Sequence, residues 1–259
     1  MTETTDIRET VREKYGALAE QGGSCCGAGC GCGETDVLHE IGYTAEQAAA
    51  VPEGANLGLG CGNPIAHAAL QPGETVLDLG SGGGIDCFLA SREVGPRGHV
   101  IGVDMTAAMV TRARRNAAQG GYANVEFRLG EIEHLPVADG SVDVIISNCV
   151  INLSPDKPQV LRDAFRVLKP GGRMVVSDLV LLRPLSPEMA RNVDLYVGCV
   201  AGASLKNDYL AMIRGAGFTE PEVLSEVRYT VGASALPEGS PEKDAFDAVV
   251  SVKVRALRP

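Results

Sequence analysis

The chain has 259 residues, 45% of them apolar and 22% charged, with a formal net charge of −10 at pH 7. That is enough material for a large packed core, and the acidic balance argues against a nucleic-acid partner, whose phosphates need a basic surface. There is no Trp, and five Phe and six Tyr leave little for stacking bases.

Asp6 to Glu20 carries Ile7, Val11, Tyr15 and Leu18 at helical spacing. It runs into a low-complexity tract, Gly22 to Gly33, that holds four of the eight cysteines. The start, Met1 to Lys14, is polar and lacks the apolar core of a signal peptide. The longest apolar runs, Val142 to Ile146 and Leu179 to Leu182, are too short for a bilayer. A cytoplasmic protein with no membrane association is expected, and there disulfides are poor structural staples. A short helix around Ala45 to Ala50 ends at Pro52, and a glycine-rich loop, Gly54 to Gly62, carries Cys61. Pro64 opens another helix.

From Glu74 the alternation is regular. Thr75–Leu79, His99–Val103, Val125–Leu129, Val142–Ser147 and Arg173–Ser177 read as buried strands. Helices are expected at Ile85–Val94, Ala107–Gln119 and Lys157–Leu168, the last stopping before Lys169-Pro170-Gly171-Gly172. Apolar strands alternating with helices predict a doubly wound α/β fold with a mostly parallel sheet. Beyond Pro184 the rhythm changes to a smaller α+β region. Helices are expected at Pro187 to Val200 and Ser204 to Ala216, strands at Val223–Thr230 and Ala248–Val254, and residues 231–244 as a connector. The chain thus divides into an extension (1–71), a core (72–180) and a C-terminal region (181–259).

The first strand ends in Asp78-Leu79-Gly80-Ser81-Gly82-Gly83-Gly84 and opens a helix. Glycines there let backbone approach a ligand, but the spacing does not complete a dinucleotide fingerprint. Asp78 would repel a pyrophosphate and attract an amine. Asp104 ends the second strand, where its carboxylate can take both hydroxyls of a ribose or cap the helix from Thr106.

With Phe165-Arg166-Val167-Leu168-Lys169-Pro170-Gly171-Gly172, these residues resemble class I AdoMet-dependent methyltransferases over roughly residues 72–180. The resemblance implies that Asp78, Gly80, Ser81, Gly82, Asp104 and Met105 bind S-adenosylmethionine. It further implies that Ile132 packs on the adenine, that the backbone near Glu133 or its carboxylate meets the exocyclic amine, and that Asn148 touches the methionine part.

Cysteines accompany this site where a catalytic base would be sought. Cys149 follows the fourth strand at the carboxyl edge of the sheet, where ligands of open α/β folds sit, although a free Cys is often a small buried hydrophobe. Cys61 and Cys199 lie in glycine-flanked segments, Gly60-Cys61-Gly62 and Gly198-Cys199-Val200-Ala201-Gly202. Three thiols suit a thiophilic ion, and no C-x-x-C pair marks a tetrahedral zinc site, so no structural metal is expected. Cys87 on the first core helix is expected to pack inside.

At these residues, and in Ser147 to Leu153 followed by Pro155-Asp156-Lys157, the chain resembles the arsenite methyltransferases along almost its whole length. That resemblance makes Cys61, Cys149 and Cys199 the ligands of As(III), supplied as arsenite or its glutathione conjugate. It implies a redox disulfide between Cys61 and Cys25 or Cys26, reset by thioredoxin or glutathione. Cys30 and Cys32 are extra relative to the simplest pattern. A monomer is expected. The alternatives are a methyltransferase of a small organic acceptor and a thiol-rich metalloid-sequestering protein.

Overall fold

The computed structural model describes residues 7–21, 34–233 and 236–259. Cys25, Cys26, Cys30 and Cys32 lie outside these residues. Four helices come first: α1 (Ile7–Gln21), α2 (Glu34–Glu40), α3 (Ala45–Ala49) and α4 (Ile65–Ala68). The alternating core follows as β1 (Thr75–Leu79), α5 (Ile85–Val94), β2 (His99–Asp104), α6 (Ala107–Gly120), β3 (Val125–Leu129), β4 (Val142–Asn148), α7 (Lys157–Val167) and β5 (Leu168–Leu181). The remainder is α8 (Val193–Val197), α9 (Lys206–Gly215), β6 (Glu222–Arg228), α10 (Pro241–Asp247) and β7 (Val249–Leu257).

The strands form one sheet in the order β3-β2-β1-β4-β5-β7-β6. β1 to β5 are parallel, and β7 runs antiparallel between β5 and β6. Strand periodicity divides the core in two. Leu77, Leu79, Ile145, Met174 and Val176 pack on the face covered by α7 and α9, whereas Val76, Val144, Ile146 and Val175 pack with Phe88, Ala90 and Val110 of α5 and α6. With apolar side chains on both faces, these strands have no polar side to alternate with, which is why they read as near-continuous apolar runs. The strand order reverses between β1 and β4, so a crevice opens at their carboxyl ends.

The strands fall where sequence periodicity places them, with three differences. The stretch expected as one helix from Pro187 to Val200 is a 3-10 turn, Met189–Arg191, and the short α8. Asn192 breaks it, because its side chain accepts the Leu195 N–H and so starts a new helix. The expected connector 231–244 contains the start of α10, capped by Ser240 through the Lys243 N–H with Pro241 in the first turn. β5 begins earlier than expected and absorbs Lys169-Pro170-Gly171-Gly172 as an irregularity opposite Val142 and Val144.

Helix α1 crosses the crevice and is tied to it at several points. Arg8 pairs with Glu133 at 3.3 Å, Arg12 with Glu131 at 3.2 Å, Lys14 with Asp194, and Tyr15 donates its hydroxyl proton to the Val197 carbonyl. Among the described residues, no helix is long and apolar enough to cross a membrane.

Candidate active site

A cavity of about 710 Å³ lies at the carboxyl ends of β1, β2 and β4, within the usual range for a small-molecule site. Gly80, Ser81, Gly82, Asp104, Met105, Ile132 and Asn148 line it, together with Cys149 and Cys199. Gly80 has φ +68° and sits so close to Val150 that a Cβ there would lie 2.3 Å from a methyl group. A side chain on Gly80 would therefore both strain the turn and displace the loop after β4.

Two carboxylates, Asp78 and Asp86, lie in the cavity wall, 2% and 3% exposed. The bonds to them come from uncharged donors: the Cys87 thiol to Asp78 (3.3 Å), the Tyr43 hydroxyl to Asp86 (2.7 Å) and the Asn148 amide to Asp86 (3.4 Å). Burial pushes both acids up, Asp78 well above the carboxylate range and Asp86 to about 6. A cation entering here would restore the charged forms. Asp104 accepts the Gly82 N–H at 2.9 Å and the Thr106 N–H at 2.8 Å, one on each oxygen. The capping-type bond is thus made, and each oxygen keeps a lone pair for a further donor. Glu133 is buried and holds Ser154 and Arg8, and its carbonyl takes Gln159. An acid-rich, glycine-lined pocket with an apolar Ile132 wall fits the amine, ribose and adenine of AdoMet.

The thiols converge beside this cavity. Cys61 is gripped at three atoms: its N–H donates to Asn148 Oδ1 (3.0 Å), its carbonyl accepts from the Ser251 hydroxyl (2.6 Å), and its thiol donates to the Ser177 carbonyl (3.5 Å). Asn148, Ser177 and Lys253 are cross-strand neighbours on β4, β5 and β7, so sheet register delivers this cradle. The Asn148 amide also donates to the Gly62 carbonyl at 2.7 Å.

Cys149 and Cys199 share a backbone peculiarity. Both adopt left-handed conformations, φ +58° and +63°, rarely taken by side chains with a Cβ. At Cys199 the cause is explicit. The Cys199 N–H bonds to the Tyr196 carbonyl and the Val200 N–H to the Leu195 carbonyl. This is the helix-ending motif whose left-handed position normally belongs to glycine, here filled by cysteine after Gly198. The Cys199 thiol donates to the Cys149 carbonyl at 2.8 Å. Hydrogen bonds with the Cys199 and Cys61 thiols, and burial, push the Cys149 thiol well above its ordinary value, and burial raises Cys61.

Three nearby groups carried no motif in the sequence. Asp178 is 1% exposed, and its carboxylate oxygen lies with the sulfurs of Cys61 and Cys149 within 4.8 Å of one another. Burial pushes it up to about 7. Lys253, also buried, is held below the usual lysine range by burial. Tyr43 joins Asp86 to Asn148. For Asp178 and Lys253 the legible signal was a charged residue inside an otherwise apolar strand. Cys87 is fully buried, as expected.

A family model described as a methyltransferase domain matches residues 70–217. The arsenite methyltransferase of Halobacterium salinarum is 49% identical over 98% of this chain and 67% of its own length. The chain belongs to the arsenite methyltransferase family. The family's enzyme from Aquipseudomonas alcaligenes is 44% identical over 77% of this chain and 60% of its own length. This chain therefore spans between three fifths and two thirds of these two arsenite methyltransferases. Among solved structures, an arsenic(III) S-adenosylmethionine methyltransferase from Chlamydomonas reinhardtii superimposes with a TM-score of 0.66 at 34% identity, over 86% of this chain and 73% of that one. Class I AdoMet-dependent methyltransferase chemistry and fold follow from this membership.

Two predictions come from this geometry. Because the folded-state pKa of Asp86 lies above its ordinary value of 3.8, its contribution to stability is full below that value and is lost as pH rises through about 6. Asp86→Asn should flatten that fall in the thermal midpoint of the ligand-free protein; an unchanged pH profile would contradict the assignment. Cys199→Gly should be at least as stable as Cys199→Ser, because glycine relieves the left-handed backbone by about 1 kcal/mol. Comparing their thermal midpoints checks this, and a markedly less stable Gly variant would refute it.

Proposed function

We propose that the chain transfers methyl groups from S-adenosylmethionine to As(III) held by Cys61, Cys149 and Cys199, giving methylated arsenicals. The observation that carries this reading is the meeting of three thiols from three distant segments beside the cofactor cavity, Cys149 and Cys199 in its wall and Cys61 behind Cys149. AdoMet supplies a methyl group on a positively charged sulfur. Asp78 takes its ammonium with Asp86 alongside, Asp104 and the neighbouring Met105 hold the ribose side, and Ile132 with Glu133 holds the adenine. Gly80, Ser81 and Gly82 give the backbone its close approach, and Asn148 borders the methionine part while fixing the Cys61 loop.

Arsenite is a neutral trihydroxide, and burial, with hydrogen bonds between thiols at Cys149, favours the neutral thiols of Cys61 and Cys149. Each exchange forms an As–S bond, and the thiol proton leaves with the displaced hydroxide as water, so the site gains no net charge. The strained backbones of Cys149 and Cys199 hold their sulfurs in place before arsenic arrives, which lowers the entropy cost of a three-point grip.

After transfer the arsenic is pentavalent and needs two electrons. Cys61 and an N-terminal cysteine, Cys25 or Cys26, supply them by forming a disulfide, and thioredoxin or glutathione then reduces it. On this reading residues 1–71 bear the redox thiols, 72–180 the cofactor and 181–259 the last arsenic ligand. The enzyme acts as a cytoplasmic monomer.

Incubation with AdoMet, arsenite and a thiol, followed by arsenic speciation, tests the proposal. Methylated arsenic should form with the natural chain and vanish in Cys149→Ser and Cys199→Ser while AdoMet still binds. Arsenic that is bound but never methylated would replace the reading with a sequestering one. Full activity in both variants would remove the trithiolate.

A further inference from the structure

The methyl transfer just proposed moves charge as well as carbon. The arsenic lone pair forms the As–C bond, the pair of the breaking C–S bond stays on sulfur, and no proton moves. The positive charge therefore leaves the sulfonium and appears on arsenic, which becomes a thioarsonium cation bound by three sulfurs. Neutral thiolate ligation gives that cation no counter-charge, and the site is buried, where an unpaired charge is costly.

One carboxylate is placed to meet it. Asp178, at the carboxyl end of β5, has an oxygen that lies with the Cys61 and Cys149 sulfurs within 4.8 Å of one another. Its side chain is held rigidly by neutral donors: the Asn152 amide at 2.8 Å and the Leu179 N–H at 3.0 Å on Oδ1, and the Tyr209 hydroxyl at 3.1 Å on Oδ2. The nearby Lys157 ammonium donates instead to the Ser154 carbonyl. Cys149 and Cys199 belong to the cavity wall, whereas Cys61 lies behind it against Ser177. Asp178 does not line that cavity, so its carboxylate reaches the Cys61 and Cys149 sulfurs from within the protein.

We propose that Asp178 is a catalytic residue, the counter-ion that stabilises the positive charge arriving on arsenic during methyl transfer. A preoriented carboxylate aimed at developing charge acts without reorganising, which is where electrostatic catalysis is strongest. It has little to offer neutral arsenic in the ground state, so its effect falls on the transfer rate and not on arsenite affinity.

The inference rests on the arsenite reading above, and the test separates the two. Protein preloaded with arsenite is mixed with AdoMet, and methylarsenic formed in a single turnover is measured per arsenic bound. Asp178→Asn keeps the shape: its oxygen can accept from Asn152 and Leu179, and its amide can donate to Tyr209. Arsenite and AdoMet affinities should be unchanged and the transfer rate should drop by about 10²-fold. A rate equal to that of the natural chain overturns the proposal. Should Asp178→Asn fail to bind arsenite, Asp178→Glu and Asp178→Gln decide, since they match in size and differ in charge. The Glu variant should exceed the Gln variant by at least about tenfold, and equal rates overturn the proposal. No methylation by the natural chain would instead overturn the arsenite reading itself.

Discussion

The carbonyl of Ser177 accepts both the Cys149 N–H and the Cys61 thiol, and the rest of the site is arranged around that shared oxygen. It brings a strand end and an unrelated loop to one point. β5 can offer it only because β4 and β7 flank it in register, with Asn148 and Lys253 opposite Ser177. Asn148 then fixes the Cys61 N–H, and Ser251 from β7 fixes its carbonyl. Gly62 completes the fit: a Cβ there would lie 1.8 Å from the Ser177 hydroxyl. The third thiol arrives through Cys199, whose own donor bond ends on the Cys149 carbonyl. The three cysteines are therefore held by backbone carbonyls together with two side chains, Asn148 and Ser251.

Electrostatics follow one theme across the cavity. Three acids in its wall, Asp78, Asp86 and Asp104, are pushed upward by burial. An unliganded site of this kind carries the cost of unpaired acids, and a cationic ligand removes it. AdoMet brings two positive centres. A hydrogen-bond chain from Asp86 through the Asn148 amide to the Cys61 N–H joins the cavity wall to the loop that carries Cys61.

Much of the fold was legible because its signals are local. Five strands and their helices show in apolar runs and glycine breaks, and the Gly80 turn shows in its spacing. The Pro187 to Val200 stretch misled because its apolar residues suit a helix while Asn192 restarts it through one side-chain bond. Cys61, Cys149 and Cys199 stood out from position and glycine flanks. Their convergence was not legible, since it depends on strand register and on bonds between segments 50 and 116 residues apart. Asp178 and Lys253 show in the sequence only as charged residues within largely apolar runs, and the pairing is what reveals that they face the thiols. The left-handed Cys199 was masked by Gly198, which sits one place before the position that glycine would usually take.

Three sulfurs meeting one arsenic is the central requirement of this chemistry. Arsenic K-edge X-ray absorption tests this directly on the chain carrying Ser at Cys25, Cys26, Cys30 and Cys32 and loaded with one equivalent of arsenite. Three sulfur neighbours and no oxygen are predicted, falling to two sulfurs and one oxygen when Cys61, Cys149 or Cys199 is singly replaced by Ser. Two sulfurs in the parent, or three that survive any of those replacements, would contradict it.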